Sequence, residues 1–273
     1  MSRRFRLLRA LCAVALVSGL PVAASAQTVR ADLARARTAY NERDFSEAIA
    51  AATLARRSAD TADAAAIVLA RAHLERYREG ADPADLSAAR IVLGSIRAGT
   101  LDERDEVELL LAMGEALFLE DEFGAAAELL ETGLARARID PTLTESMLEW
   151  WGSATERRAS AAAPDARRQH WVRLVERMAT EVSQTPSSPA ASYWMVVGLR
   201  GTGEVDRAWD AAVAAWVRAR LAGNRSAALR ADLNQLVMLG IIPDRVRHIA
   251  QDQRAAAESQ LRADWELVKE RWK

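Results

Sequence analysis

The chain has almost none of the residues that form disulfides, thiolate sites or metal sites. Cys12 is the one cysteine among 273 residues, and it lies in an apolar N-terminal segment. The three histidines, His73, His170 and His248, are far apart in the sequence. Because a zinc site needs three or four such ligands, we expect no metal site, no disulfide and no bound cofactor.

Signals for strands and for catalysis are also missing. There is no sustained alternation of apolar and polar residues and no Asn-Gly or Asp-Gly hairpin turn. No Gly-x-Ser-x-Gly nucleophile elbow occurs, and neither Lys-Ser nor Lys-Thr follows Gly201 and Gly203, as a phosphate-binding loop requires. The sequence therefore predicts a protein that is not an enzyme. An enzyme, or the helical accessory part of one, is the least favoured of the three functions we consider. The other two, a protein-binding scaffold and a module that binds a glycan or small ligand, are described below.

Residues 1–26 have the pattern of a secretory signal peptide. Four arginines precede an apolar run from Leu11 to Leu20, and Ala24-Ser25-Ala26 precedes Gln27. The run is too short to cross a bilayer comfortably, although a membrane anchor that stays attached is the alternative. We expect cleavage after Ala26, a periplasmic or secreted protein, and no membrane span in the mature chain.

The charge balance argues against nucleic acid as a partner. The whole chain has 37 basic and 38 acidic residues, and the predicted signal contains four of the basic ones and no acidic one. The mature chain would therefore have a net charge of about −5, which disfavours an anionic partner.

Two helical patterns joined by a short polar break fill residues 108–137. Leu110, Met113, Gly114 and Leu117 recur at steps of three and four, and the same spacing follows Phe123. The break at 119–122 is too short for anything but an antiparallel helix pair. We expect the small residues Gly114 and Ala126, twelve positions apart, to let the two helix backbones approach closely.

The same register occurs in other parts of the chain. In residues 28–57, Ala36 and Ala48 are again twelve apart, and Phe45 precedes Ala48 as Phe123 precedes Ala126. Ala70 follows Ala36 by 34 residues, which is the period of one class of helical repeat. Further pairs are predicted at 61–98, at 140–184 with a less regular pattern, and at 190–221. The last of these is expected to be two residues short, because Gly198 and Ala208 are only ten apart.

These motifs resemble the tetratricopeptide repeat. The resemblance rests on Met113-Gly114, Leu117-Phe118, Phe123 and Ala126, and an unrelated antiparallel helix pair is the alternative for this unit. The resemblance implies an all-α helix-hairpin solenoid of about five units in residues 27–222. Residues 223–273 are expected to form C-terminal capping helices, one ending at Gly240 and a long one running from Pro243 to Trp272.

In tetratricopeptide proteins the first helix of each pair lines a groove that binds peptides or partner helices. The matching positions in this chain, which we take as candidate partner-binding residues, are Arg37, Tyr40, Asn41, Arg71, Leu74, Glu75, Glu115, Phe118 and Leu119. The Lys and Asn pair with which some members hold a C-terminal carboxylate is replaced by Leu33 and Arg37. The preferred function is therefore an exported, non-catalytic scaffold that binds a protein or peptide of the cell envelope in its groove.

The tryptophans provide the alternative function. All eight lie between Trp150 and Trp272. If part of this set were exposed, it would form an aromatic strip that stacks on sugar rings or holds a small ligand. The candidate strip is Trp150, Trp151 and Trp171, and core packing between helices is the competing interpretation.

Overall fold

A computed structural model describes residues 20–273 of the chain. In this range the protein is all-α, with no strand, which confirms the predicted fold class at that level. Most of the predicted signal peptide lies outside the described residues, and the first described helix begins at Leu20. No helix between residues 20 and 273 is long and apolar enough to cross a membrane.

The helices follow one another with short connections. They are α1 (Leu20–Asn41), α2 (Phe45–Ala55), α3 (Ala62–Gly80), α4 (Pro83–Leu93), α5 (Glu103–Leu119), α6 (Phe123–Leu134), α7 (Pro141–Ala161), α8 (Pro164–Gln184), α9 (Pro189–Gly201), α10 (Val205–Arg218), α11 (Ser226–Leu236), α12 (Ile242–Val246) and α13 (Gln251–Arg271). Proline begins α4, α7, α8 and α9, where its missing N–H and fixed φ fit the first turn.

Consecutive helices pack in pairs, from α1 with α2 to α9 with α10. Each first helix also contacts the first helix of the next pair, so that α1, α3, α5, α7, α9 and α11 are adjacent in that order. We call this set the first-helix layer. Its free side is the surface on which the predicted groove residues were expected to lie.

Three hairpin turns share one backbone conformation. The residue two positions before the second helix has a positive φ, of 63° at Arg43, 62° at Asp121 and 84° at Gly203. The following residue donates its N–H to a carbonyl five positions back, over 2.9 Å from Asp44 to Ala39, 2.9 Å from Glu122 to Leu117 and 3.0 Å from Glu204 to Leu199. This bond closes a Schellman cap, so the three turns are structural copies of one another.

The shared turn corrects the register of the fifth pair. Counting back seven residues from each positive-φ position gives Ala36, Gly114 and Val196. Val196 is fully buried, and it is therefore the equivalent of the small residue in the other pairs. The expectation that this hairpin is two residues short is wrong, because it took Gly198 as the equivalent.

The core glycines make room for large side chains rather than for a second backbone. A Cβ added to Gly114 would lie 2.5 Å from Leu130 Cδ2, and one added to Gly133 would lie 2.5 Å from Met147 Cε. Gly152 contacts the ring of Trp194 in the same way. The predicted close approach of two backbones at Gly114 is therefore corrected to a socket for one leucine.

The C-terminal boundaries differ from the prediction. Gly240 does not end a helix, because the chain continues through a π-helical turn at Val237–Ile241 into α12. Gly240 instead allows the Arg200 guanidinium group to lie close to the backbone, since an added Cβ would lie 2.9 Å from Arg200 Cζ. The last helix begins at Gln251, not at Pro243. It is held by Trp265, which is fully buried and donates its indole N–H to Asn234 Oδ1 over 3.0 Å.

Candidate binding surface on the first-helix layer

Four of the predicted groove residues meet at one open cavity of about 270 Å³, which we call the N-terminal cavity. It is lined by Arg37, Tyr40, Asn41, Val68, Arg71, Arg104 and Glu108. The residues from α1 lie three and four positions apart, so they share one face of that helix. Arg71 follows Arg37 by one repeat period of 34 residues, and this places it on the corresponding face of α3.

Arg71 connects three helices beneath this cavity. Its guanidinium group lies 4.8 Å from the ring centre of Tyr40 on α1. It also makes two contacts with the Glu115 carboxylate on α5, from Nη2 to Oε1 at 3.1 Å and from Nε to Oε2 at 3.3 Å. Burial raises the pKa of Glu115, and Arg71 opposes that shift. Burial likewise holds the pKa of Tyr40 well above its ordinary value, so the phenol stays protonated as a donor.

The other charges of the N-terminal cavity are paired with one another. Arg37 Nη2 donates to Asp105 Oδ1 over 2.5 Å, and Arg104 contacts Glu108 at 3.1 Å and Asp140 at 3.3 Å. The Nε atom of Arg37 is buried and has no acceptor in the described region. Asn41 is exposed at the end of α1, and its amide supplies both a donor and an acceptor. The cavity is thus polar, nearly neutral and open to a ligand at Asn41.

Some of the predicted groove residues do not reach the surface. Leu74 is 1% exposed and packs in the core, and Glu115 is 2% exposed beneath Arg71. Glu75 is also buried, and its two carboxylate oxygens accept from Arg78 at 2.8 and 2.9 Å. Leu74 and Glu115 therefore hold the helices together and cannot touch a partner.

Phe118 belongs to an aromatic cluster that continues the surface toward α7. Its ring centre lies 5.1 Å from that of Trp150, in an edge-on arrangement. The guanidinium group of Arg78 lies 5.0 Å from the centre of the Trp150 ring. Phe118, Leu119 and Trp150 are all half-buried, so this cluster exposes part of its apolar surface.

Trp150, Trp151 and Trp171, the tryptophans expected to form an alternative ligand site, do not form a continuous exposed surface. Trp151 is 1% and Trp171 is 8% exposed, and both belong to the central core. Trp171 fills the space left by the missing side chain of Gly201. Only Trp150 of the three presents a partial surface, because adjacent residues on a helix point in directions about 100° apart.

A second open cavity, of about 290 Å³, lies between α7, α9, α11 and the π-helical turn that follows α11. We call it the C-terminal cavity, and it is lined by Glu156, Tyr193, Val197, Arg200, Asp232, Gln235, Leu236, Leu239 and Gly240. Sequence reasoning missed it. Gly240 was taken for a helix end, so the sequence offered no signal that Leu239, which is 70% exposed, lies at a cavity.

Negative charge dominates the C-terminal cavity. Burial, together with Glu156 and Asp232, raises the pKa of Tyr193 to about 12. Burial also raises the pKa of both carboxyl groups. Arg200 is the one cation of the lining, and its Nε already donates to Asp244 Oδ2 over 2.7 Å.

A third cavity, of about 400 Å³, lies where α7 and α9 begin, α8 ends and the chain leaves α10. Its acidic groups are already engaged. Glu145 Oε2 accepts from the backbone N–H of Ala190 at 3.2 Å and contacts Arg225 at 3.1 Å, and Glu181 accepts from Arg177 at 2.9 Å. These pairs connect the helix ends, and we assign them a structural role.

Residues 20–273 contain no group of three or more His, Cys, Asp or Glu side chains placed to hold a metal ion. His73 contacts Asp85 at 2.7 Å, and Arg76 donates to the same carboxylate at 3.1 Å. This network joins α3 to α4, and none of its residues lines any of the three cavities described above.

A scan against protein-family models, a search of curated proteins and a search of solved structures each found no match.

Proposed function

We propose that this chain is an exported, non-catalytic scaffold with a tetratricopeptide-like solenoid fold. In this proposal an extended segment of a partner protein or peptide in the cell envelope lies along the free side of the first-helix layer. The signal-like pattern of residues 1–26 supports export, and the three copies of one hairpin turn support a repeat array.

The observation that carries the proposal is the convergence of Arg37, Tyr40, Asn41 and Arg71 on one open cavity. These residues come from two helices and were singled out by repeat position alone. Their polar atoms suit a peptide, because Asn41 can pair with a peptide N–H and C=O, while the arginines donate to carbonyl or carboxylate oxygens.

The rest of the first-helix layer supports an elongated rather than a compact ligand. Phe118 and Trp150 expose apolar surface on α5 and α7, and the C-terminal cavity follows on α7 and α9. Two cavities with an aromatic cluster on the helices between them are suited to anchoring separate side chains of one extended segment. A sugar ligand is disfavoured, since Trp151 and Trp171 offer no ring face.

A bulky substitution at the rim of the N-terminal cavity tests the proposal. In Asn41→Trp an indole would cover the cavity, whereas in the matched control Glu42→Trp the indole would project from the adjacent exposed turn. We expect the wild-type chain and Glu42→Trp to retain the same partner from envelope extract, and Asn41→Trp to lose it. Equal retention by both variants would contradict partner binding at this cavity.

A further inference from the structure

The C-terminal cavity combines apolar walls with carboxylates that have no partner. Val197, Leu236 and Leu239 supply the apolar surface. In the described part of the chain neither Glu156 nor Asp232 forms a side-chain hydrogen bond or a close ion pair. Arg157 and Arg200 act on Glu156 only as nearby positive charges, which oppose the rise of its pKa. This distinguishes them from the acids of the N-terminal cavity, which all face an arginine.

The one cation in the lining of the cavity compensates these two acids only in part. Arg200 packs its guanidinium group against Gly240, where an added Cβ would lie 2.9 Å from Arg200 Cζ, and its Nε donates to Asp244 at 2.7 Å. Asp244 also accepts from Arg247, so this group holds two arginines and one aspartate and carries a net charge of +1. The lining thus holds two carboxylates, Glu156 and Asp232, against the single positive charge of Arg200, and the open cavity keeps a net negative charge.

We propose that the C-terminal cavity takes the side chain of a lysine or arginine from the bound partner segment, an inference that rests on the proposed function. The methylene stem would pack on Val197, Leu236 and Leu239, as long basic side chains do on apolar surfaces. The charged head would reach Glu156 and Asp232 and form charge-assisted hydrogen bonds. The ring of Tyr193 supplies a further surface that attracts a cation.

Other side chains fit this cavity less well on physical grounds. An acidic side chain would meet Glu156 and Asp232 as like charges. A purely apolar side chain would remove water from the two carboxylates without replacing the lost hydrogen bonds, which carries a free-energy cost. A basic side chain satisfies both the apolar walls and the charges.

Selection from a displayed library of random dodecapeptides on the purified full-length chain tests this inference. The wild type is compared with Glu156→Gln/Asp232→Asn, which removes the charges and keeps the shapes. The matched control is Glu176→Gln/Asp210→Asn, which changes two exposed acids on α8 and α10, outside the cavity. We expect the wild type and the control to enrich peptides with a lysine or arginine beside an apolar residue, and the cavity variant to lose that preference.

The strongest peptide then allows a direct measurement of the pairing. Replacing its basic residue by norleucine should weaken binding to the wild type by about 10-fold, because a charge-assisted pair is lost. The same replacement should leave binding to the cavity variant nearly unchanged. Peptides that bind without any basic preference would overturn the inference and leave the scaffold proposal standing. If the wild type retains no peptide, the scaffold proposal fails and the inference fails with it.

Discussion

Arg71 and Glu115 form a two-contact ion pair between α3 and α5, buried beneath the ring of Tyr40. Glu115 is 2% exposed, so its charge depends on Arg71 for compensation. The pair joins two adjacent first helices and, through Tyr40, a third. It therefore sets the geometry of the floor of the N-terminal cavity.

Breaking this pair on one side should be costly. We expect Arg71→Met to lower the free energy of unfolding by roughly 3–5 kcal/mol, because Glu115 is left as an uncompensated buried group. Arg71→Met/Glu115→Leu, in which neither charge remains, should recover most of that loss. Urea denaturation followed by circular dichroism measures both. A single variant as stable as the wild type would show that the ion pair does not hold α3 to α5.

A methyl group at Gly114 should disturb the contact with Leu130. Gly114→Ala would place Cβ 2.5 Å from Leu130 Cδ2, and we expect a loss of about 1–3 kcal/mol from overpacking. Gly80→Ala is the matched control, since nothing lies within 4 Å of its added Cβ. The control should gain up to about 1 kcal/mol from helix propensity. If thermal unfolding gives both variants the same sign, the proposed socket for Leu130 is wrong.

Two substitutions in the turns between paired helices should change the free energy of unfolding in opposite directions. Gly203 has φ of 84°, so Gly203→Ala should lose about 1 kcal/mol, because side chains with a Cβ disfavour the left-handed region. Ala81 has φ of 54° at the corresponding position before α4. Ala81→Gly should therefore gain up to about 1 kcal/mol despite the larger backbone entropy of glycine. Chemical denaturation of the two variants measures the difference, and a stabilising Gly203→Ala would contradict the turn geometry.

Tyr193 should make the fold sensitive to alkaline pH. Its pKa is raised to about 12 in the folded chain from 10.0 in the unfolded chain, so the unfolded chain loses the phenol proton first. The stability linked to Tyr193 is fully present below pH 10 and is lost as pH rises through about 12. Unfolding monitored at successive pH values should show this loss in the wild type, and a smaller one in Tyr193→Phe. Identical curves for the two proteins would contradict the shift.

Removing the carboxylates near Tyr193 provides a second test of its raised pKa. In Glu156→Gln/Asp232→Asn the phenolate has two fewer negative neighbours, so the Tyr193 pKa should fall toward its ordinary value. The phenolate absorbance near 295 nm reports this titration, with Tyr193→Phe as the reference that identifies the signal. An unchanged Tyr193 titration would show that burial alone causes the shift.

Local signals predicted the helices better than their ends. Pro83, Pro141 and Pro189 each begin a helix inside one of the predicted pairs, because a proline fits the first turn of a helix. The prediction that a helix ends at Gly240 was wrong, because a glycine can also serve tertiary packing, in this case against Arg200. Gly198 misled the register of the fifth pair for a similar reason, since its missing side chain makes room for Val175.

Residues of the candidate site could be predicted from the sequence only where a position in one helix pair could be matched to the equivalent position in the next pair. Arg37 and Arg71 are one period apart and do meet at a cavity. Leu74 and Glu115 also matched groove positions, but burial depends on what the neighbouring helix places above them, which a single sequence does not reveal. Glu156 on α7 and Asp232 on α11 line one cavity together with Tyr193 on α9, and no spacing in the sequence records that.

Photocrosslinking in the cells that make the chain tests whether the free side of the first-helix layer binds a partner. The crosslinker p-benzoylphenylalanine is placed at Asn41 or Gln235, which line the two cavities, or at Ala50 or Glu176, which are exposed on α2 and α8. We expect irradiation to join a partner to the chain from Asn41 and Gln235 and not from Ala50 or Glu176. Crosslinks to a partner from Ala50 and Glu176 alone would place binding on the second helices and contradict the scaffold proposal.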